Sequence, residues 1–183
     1  MTGSRRIAIL GVGDVFMRDE GVGPHVLRVL QSHCDFPSHV VLHNVGKPGP
    51  ELALFLAHYD AVILVHAVSE AGQPGDVRVY HKRQLLGVES PFRATPYDPA
   101  VLNALRSAET AGQCPREVLL VSVVPESAQG GYGLTACVRS AIAAAVSAVL
   151  AELYRLGARV GARPEVSEPS LWEEQKVPTE SAF

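Results

Sequence analysis

Short β-branched runs alternate along this chain with longer stretches of helical period, and that alternation restricts it to one fold class. Arg6 to Leu10, His39 to His43, Ala61 to His66, Val77 to Tyr80 and Glu117 to Val124 read as strands. Ala61 to His66 is almost continuously apolar, the pattern of a strand buried on both faces. Between the strands, Gly23 to Ser32 places Val26, Val29 and Leu30 at helical spacing, in register with Val22. Pro50 to Ala57 and Pro99 to Ser107 read as short helices, the first with Pro50 near its opening turn. Leu134 to Leu156 reads as a long alanine-rich helix stopped by Gly157. Strand and helix in alternation predict a three-layer α/β fold: a mostly parallel twisted sheet of about five strands with helices on both faces. Ligands of such sheets lie beyond the carboxyl ends of the strands, near a switch in strand order. That rule selects Gly11 to Glu20, Asn44 to Gly49 and His66 to Glu70.

The 183 residues suit one domain, expected over 1–158, and a terminal piece, 159–183, whose acids and prolines show little apolar periodicity. That piece is expected to be a flexible surface extension. A net charge of −3 advertises neither nucleic acid nor anionic membrane as a partner. The longest apolar runs, such as Ala61 to Val65, fall far short of the roughly 20 residues a membrane helix needs. The first strand follows the N-terminus so closely that no signal peptide is expected. Three cysteines, Cys34, Cys114 and Cys137, without CxxC spacing, predict neither structural zinc nor a disulfide framework, and make the cytoplasm the simplest location.

The stretch "LGVGDVFMRDEGVG", Leu10 to Gly23, poses a choice between a phosphate loop and a metal-binding acid. A dinucleotide fingerprint needs GxGxxG, yet Phe16 occupies the third glycine position and no acid ends the second strand. Asp14, Asp19 and Glu20 would also repel phosphate, so no nucleotide is expected. Glu20 just before the first helix and His66 at the end of the third strand share one rim, and both are usable ligands for a first-row divalent ion. Residue chemistry alone leaves open that Glu20 merely serves a helix N-terminus and His66 is a satisfied rim histidine. There is no GxSxG, and Ser122, Ser127, Cys114 and Cys137 lack an assignable base. His43 lies near the rim and remains a weaker candidate.

The whole pattern resembles the hydrogenase maturation endopeptidases. "AILGVGDVFMRDEGVGPHVLRVL" is similar to the family's opening strand, GxGN turn, DD or DE pair and GxG, through Gly11, Gly13, Asp19, Glu20, Gly21 and Gly23. "VGKPGPELALFL" resembles its GGTxGxELL segment through Gly46, Gly49, Glu51 and Leu52. "YDAVILVHAVSEAGQPGDV" and "LLVSVVPESAQGGYGLTACVRSAI" follow in the same order, so the likeness spans about residues 5 to 157. The resemblance implies an endopeptidase, of aspartic type by family classification. It would remove the C-terminal extension of a nickel-iron hydrogenase large-subunit precursor after nickel insertion. The nickel would arrive with the substrate, other divalent ions could substitute, and the freed end would close over the metal centre.

Carried over position by position, the family's metal-binding trio falls on Glu20, His66 and Thr95. Histidine stands at the second position where the family has aspartate, and threonine at the third where it has histidine. Asn44 lies where an acid precedes the glycine segment, and Asp14 where asparagine is usual. The resemblance thus implies Glu20 as catalytic residue, Glu20 and His66 as metal ligands, and Asp19, Asn44, Gly46, Thr95 and Glu126 around the substrate. Glu126 is a second candidate acid, on the loop after the strand "LLVSVV". Three readings stay open: an active peptidase with a rearranged site, a binder that acts as maturation chaperone or checkpoint without cleaving, and a paralogue with another partner.

Overall fold

A computed structural model describes residues 5–49, 51–87 and 99–163. In chain order these hold strand β1 (Ile7–Val12), a 3-10 turn (Arg18–Gly21), helix α1 (Val22–His33), β2 (Cys34–Asp35) and β3 (Val40–Gly46). Then come α2 (Glu51–Leu56), β4 (Ala61–Ala67), β5 (Val77–His81), α3 (Lys82–Leu86), α4 (Pro99–Thr110), β6 (Glu117–Val123), α5 (Ala136–Arg155) and β7 (Gly161–Ala162). The main sheet has the order β3-β1-β4-β6-β5, with β5 alone antiparallel to its neighbour. This is the predicted three-layer, mostly parallel architecture.

Side-chain alternation along the strands divides the interior into two cores. Ile7 and Ile9, Ile63 and Val65, and Leu119 and Val121 face α1 and α5. Ala8, Leu10 and Val12, Val62 and Leu64, and Val118 and Leu120 face α2, α3 and α4. Every residue of β4 is buried, which explains why this strand reads as one apolar run rather than an alternating one. Helix α5 is long and apolar enough, by length and composition, to cross a membrane. In the fold its stripe of Val138, Ala141, Ile142, Ala145, Val149 and Leu153 packs into the first core.

The chain leaves β1 for β3 on one side and then crosses to β4 on the other, so the strand order switches at β1. The crevice beyond the carboxyl ends of β1 and β4 is where such a sheet opens to a ligand. Helix α1 lies close against these two strands because residue 23 has no side chain. A Cβ there would stand 2.4 Å from the Val65 carbonyl oxygen and 2.5 Å from that of Val12. The glycines of the opening stretch therefore serve tight strand-to-helix packing.

The sequence pattern missed the short elements. Two-residue strands such as β2 and β7 carry no periodicity, and α3 is a single short turn of helix. β7 changes the reading of the C-terminal extension. It pairs antiparallel with β2, and Arg163 reaches Asp35 at 2.9 Å and the Gln31 carbonyl at 2.8 Å. The extension thus begins docked against the end of α1, and its remainder, 164–183, lies outside the described residues.

Candidate active site

Four loops at the carboxyl edge of the sheet, after β1, β3, β4 and β6, enclose one cleft of about 680 Å³. The loop after β1 supplies Gly13, Met17 and Glu20; the end of β4 supplies His66 and the segment after it; the loop after β6 supplies Glu126. All three of the segments selected by the strand-end rule reach this cleft. Glu20 and His66, 46 positions apart, both reach its wall because β1 and β4 are adjacent parallel strands whose carboxyl ends lie at the same edge of the sheet.

Glu20 is presented by the 3-10 turn that joins the glycine loop to α1. The turn is held from behind by Gly13, whose φ is +131°, and where a Cβ would collide with the Glu20 carbonyl oxygen at 1.7 Å. His66 is 8% exposed. Its Nδ1 lies 3.2 Å from the Val12 carbonyl oxygen. A carbonyl only accepts, so Nδ1 is the donor in this contact. This backbone contact orients the ring as it would a metal-ligating imidazole.

Beside His66, its register partner Ser122 is fully buried and donates to Glu70 at 2.7 Å. Glu70 also receives the Arg78 guanidinium at 3.2 Å and the Tyr80 hydroxyl. These bonds satisfy a carboxylate that is almost wholly buried, and they tie β5 to the segment after β4. Burial in turn pushes the Tyr80 phenol above its ordinary value, with the Glu70 hydrogen bond adding to it.

Asp19, expected to touch the substrate, has a different task. Its side chain is 0% exposed. One carboxylate oxygen accepts the backbone N–H groups of Glu126 and Ser127, both at 3.0 Å. The other accepts the backbone N–H of Thr135 at 2.8 Å, and the Thr135 hydroxyl reaches both oxygens. Thr135 is the residue that caps α5, so a buried anion sits at a helix N-terminus, where the helix dipole favours it. Asp19 is thus the knot that fixes Glu20 relative to Glu126. The Glu126 carboxylate itself accepts from the Cys137 thiol at 3.2 Å on the first turn of α5.

Asn44 and Gly46 shape the end of β3. Asn44 is exposed and its side-chain oxygen accepts the Gly46 N–H at 3.1 Å, closing a local turn at the end of β3. Gly46 has a φ of +63°, which that turn requires. The wall from this loop is built instead by Lys47 and Pro48. Lys47 pairs with Asp14 at 3.3 Å across the cleft rim. The Phe16 backbone N–H, helped by Lys47 and opposed by desolvation, holds the Asp14 carboxyl below its ordinary range. The acid at the family's asparagine position thus fastens two loops together. Lys47 was not legible as a site residue, since a lone lysine after a strand carries no spacing signal. Thr95 lies outside the described residues.

Among the described residues, no three His, Cys, Asp or Glu side chains converge on a metal-sized point. Glu20 and His66 offer a carboxylate and an imidazole, a donor pair that suits nickel or zinc. Such an ion would need further ligands, and an ion brought in by a protein substrate carries its own.

A three-layer α/β domain with carboxylates and an imidazole at its switch-point cleft has the layout of a small α/β enzyme. A sequence model of one family, described as hydrogenase maturation protease (HycI), matches residues 24–152. The hydrogenase 2 maturation protease of Escherichia coli K12 is 29% identical over 153 residues, covering 83% of this chain and 93% of that protein. The hydrogenase expression/formation protein HupM of Azotobacter chroococcum is 31% identical over 159 residues, covering 86% of this chain and 76% of its own. The solved hydrogenase maturating endopeptidase HybD of E. coli superposes with a TM-score of 0.79 at 29% identity, covering 86% of this chain and 98% of that one. The chain belongs to the hydrogenase maturation protease family, and it is a peptidase.

Proposed function

We propose that this protein removes the C-terminal extension of a nickel-iron hydrogenase large-subunit precursor once nickel has been inserted. The observation that carries the reading is the meeting of Glu20, His66 and Glu126, from three separate loops, on the wall of one cleft. The nickel belongs to the substrate and comes with the precursor's own ligands. Glu20 and His66 then complete its surroundings, which makes nickel loading the condition for productive seating. Only two protein donors are then needed. The aspartate-to-histidine change at residue 66 keeps a ligand while removing one negative charge.

Peptide cleavage here requires water to attack the scissile carbonyl carbon, a base to take the water's proton, and the departing nitrogen to receive one. Glu20 and Glu126 are the two carboxylates on the wall that can exchange that proton. Holding them is the task of the Asp19 knot, which limits how far the two loops can drift apart. Three free thiols suit a reducing cytoplasm, the compartment in which the reading places the reaction.

The test is incubation of the purified protein with nickel-loaded and nickel-free precursor, followed by intact mass spectrometry of the large subunit. A shortened large subunit from the loaded precursor alone is expected. Equal cleavage of both forms would overturn the metal-reading role, and a stable complex without cleavage would overturn the peptidase assignment to this cleft.

A further inference from the structure

The lip of the cleft carries an aromatic pair that the catalytic chemistry does not use. Phe16 and Tyr132 pack edge to face, with ring centroids 5.2 Å apart and planes at 73°. Such a pair normally serves to bury area, yet Phe16 is 56% and Tyr132 78% exposed, and the adjoining Val15 is 36% exposed. Isolated exposed apolar residues are ordinary on protein surfaces, whereas a contiguous cluster beside a cleft marks a binding surface.

The two loops bearing these rings are fastened to each other. The Gly131 N–H donates to the Phe16 carbonyl at 2.8 Å, the Arg18 N–H donates to the Gly131 carbonyl at 3.0 Å, and Met17 and Gly131 form a parallel bridge. Between them Arg18 holds a φ of +44°, a left-handed conformation that a non-glycine residue keeps only where its surroundings impose it. The aromatic pair is therefore a preorganised platform, and docking on it would forfeit little loop entropy.

The platform is continuous with the cleft. Met17, next to Phe16, and Gln129, on the loop that leads to Tyr132, both line the cleft wall. A polypeptide seated in the cleft and leaving past Met17 and Gln129 meets these rings next. We infer that Phe16 and Tyr132, with Val15, grip apolar side chains of the precursor's C-terminal segment where it flanks the scissile bond. This rests on the proposed function, since it takes the same precursor as the occupant of the cleft. The rings would supply affinity and register, and the acids on the wall would supply the chemistry.

The test uses full-length protein and nickel-loaded precursor, with Phe16→Ala, Tyr132→Ala, the double variant, and the conservative Phe16→Leu and Tyr132→Phe. The thermal midpoint checks that each folds. Truncating paired aromatic anchors raises KM and Kd by about 30-fold or more in the double variant, with kcat changed far less and the conservative variants close to wild type. A photo-crosslinking amino acid at position 132 is expected to label the precursor's C-terminal segment. Wild-type KM and Kd in the double variant, or crosslinks only to another region or to a second copy of this chain, would overturn the inference while leaving the proposed function standing. If the wild type binds the precursor without cleaving it, the peptidase reading fails and Kd still decides the role of the rings. No binding at all overturns both.

Discussion

The carboxylate of Asp19 accepts the backbone N–H of Thr135 at 2.8 Å and its hydroxyl at 2.9 and 3.0 Å, across 116 positions of chain. This contact binds the turn that carries Glu20 to the helix that carries Cys137, with Glu126 held between them. Asp19→Ala would leave four donors in the interior without their acceptor. The loss of stability is expected to be about 3–5 kcal/mol, read from urea unfolding. Thr135→Val, which removes one hydroxyl and keeps the backbone donor, should cost only about 1 kcal/mol.

Glu20→Gln keeps the shape of the side chain and removes its charge. Cleavage of nickel-loaded precursor should fall by about 100-fold or more, while precursor binding measured by biolayer interferometry persists. His66→Ala should lower cleavage and abolish the preference for nickel-loaded over nickel-free precursor. His66→Asp, which restores a carboxylate ligand, should retain that preference. Undiminished cleavage by Glu20→Gln would remove Glu20 from the chemistry.

Gly13→Ala tests how the backbone places Glu20. The added methyl would meet the Glu20 carbonyl oxygen at 1.7 Å, and the position has a φ of +131°. The turn must move to admit it. A fall in thermal midpoint of about 5 °C or more is expected from overpacking and backbone strain together. Cleavage should be lost even at temperatures where the variant is fully folded. A folded and fully active variant would show that the turn can shift without consequence for the site.

His25 on α1 introduces a dependence on pH. Burial, with Arg28 and Arg139 adding to it, depresses its pKa below the ordinary value. The unfolded chain therefore takes up a proton at this position at higher pH than the folded one does. The contribution of His25 is harmless above the ordinary value of about 6.5 and becomes destabilising as pH falls through it toward the folded pKa. Thermal midpoints measured from about pH 7.5 down to about pH 5.5 should decline more steeply for the wild type than for His25→Gln. Parallel curves for the two proteins would show that burial at this site does not perturb the histidine.

Particular residues show where sequence reading succeeds and where it stops. Strands β1, β4 and β6, helices α1 and α5, and the sheet class were legible because burial on one or both faces imposes a period on the apolar residues. Glu20 and His66 were legible as rim residues because each sits at the end of such an element. The buried position of Asp19 was not legible because adjacency in sequence says nothing about which way a side chain turns. The same limit hid Lys47, whose partner Asp14 lies on another loop, and the aromatic pair of Phe16 and Tyr132. By itself the sequence determined the layers, the family and the edge of the sheet where the chemistry lies, since these follow from local periodicity and motif order. Only the tertiary structure decided that Asp19 is a buried knot, that Glu126 joins Glu20 and His66 on one wall, and that two distant loops meet at the lip. Those outcomes depend on which strands become neighbours, and strand order is settled by long-range packing that no local pattern encodes.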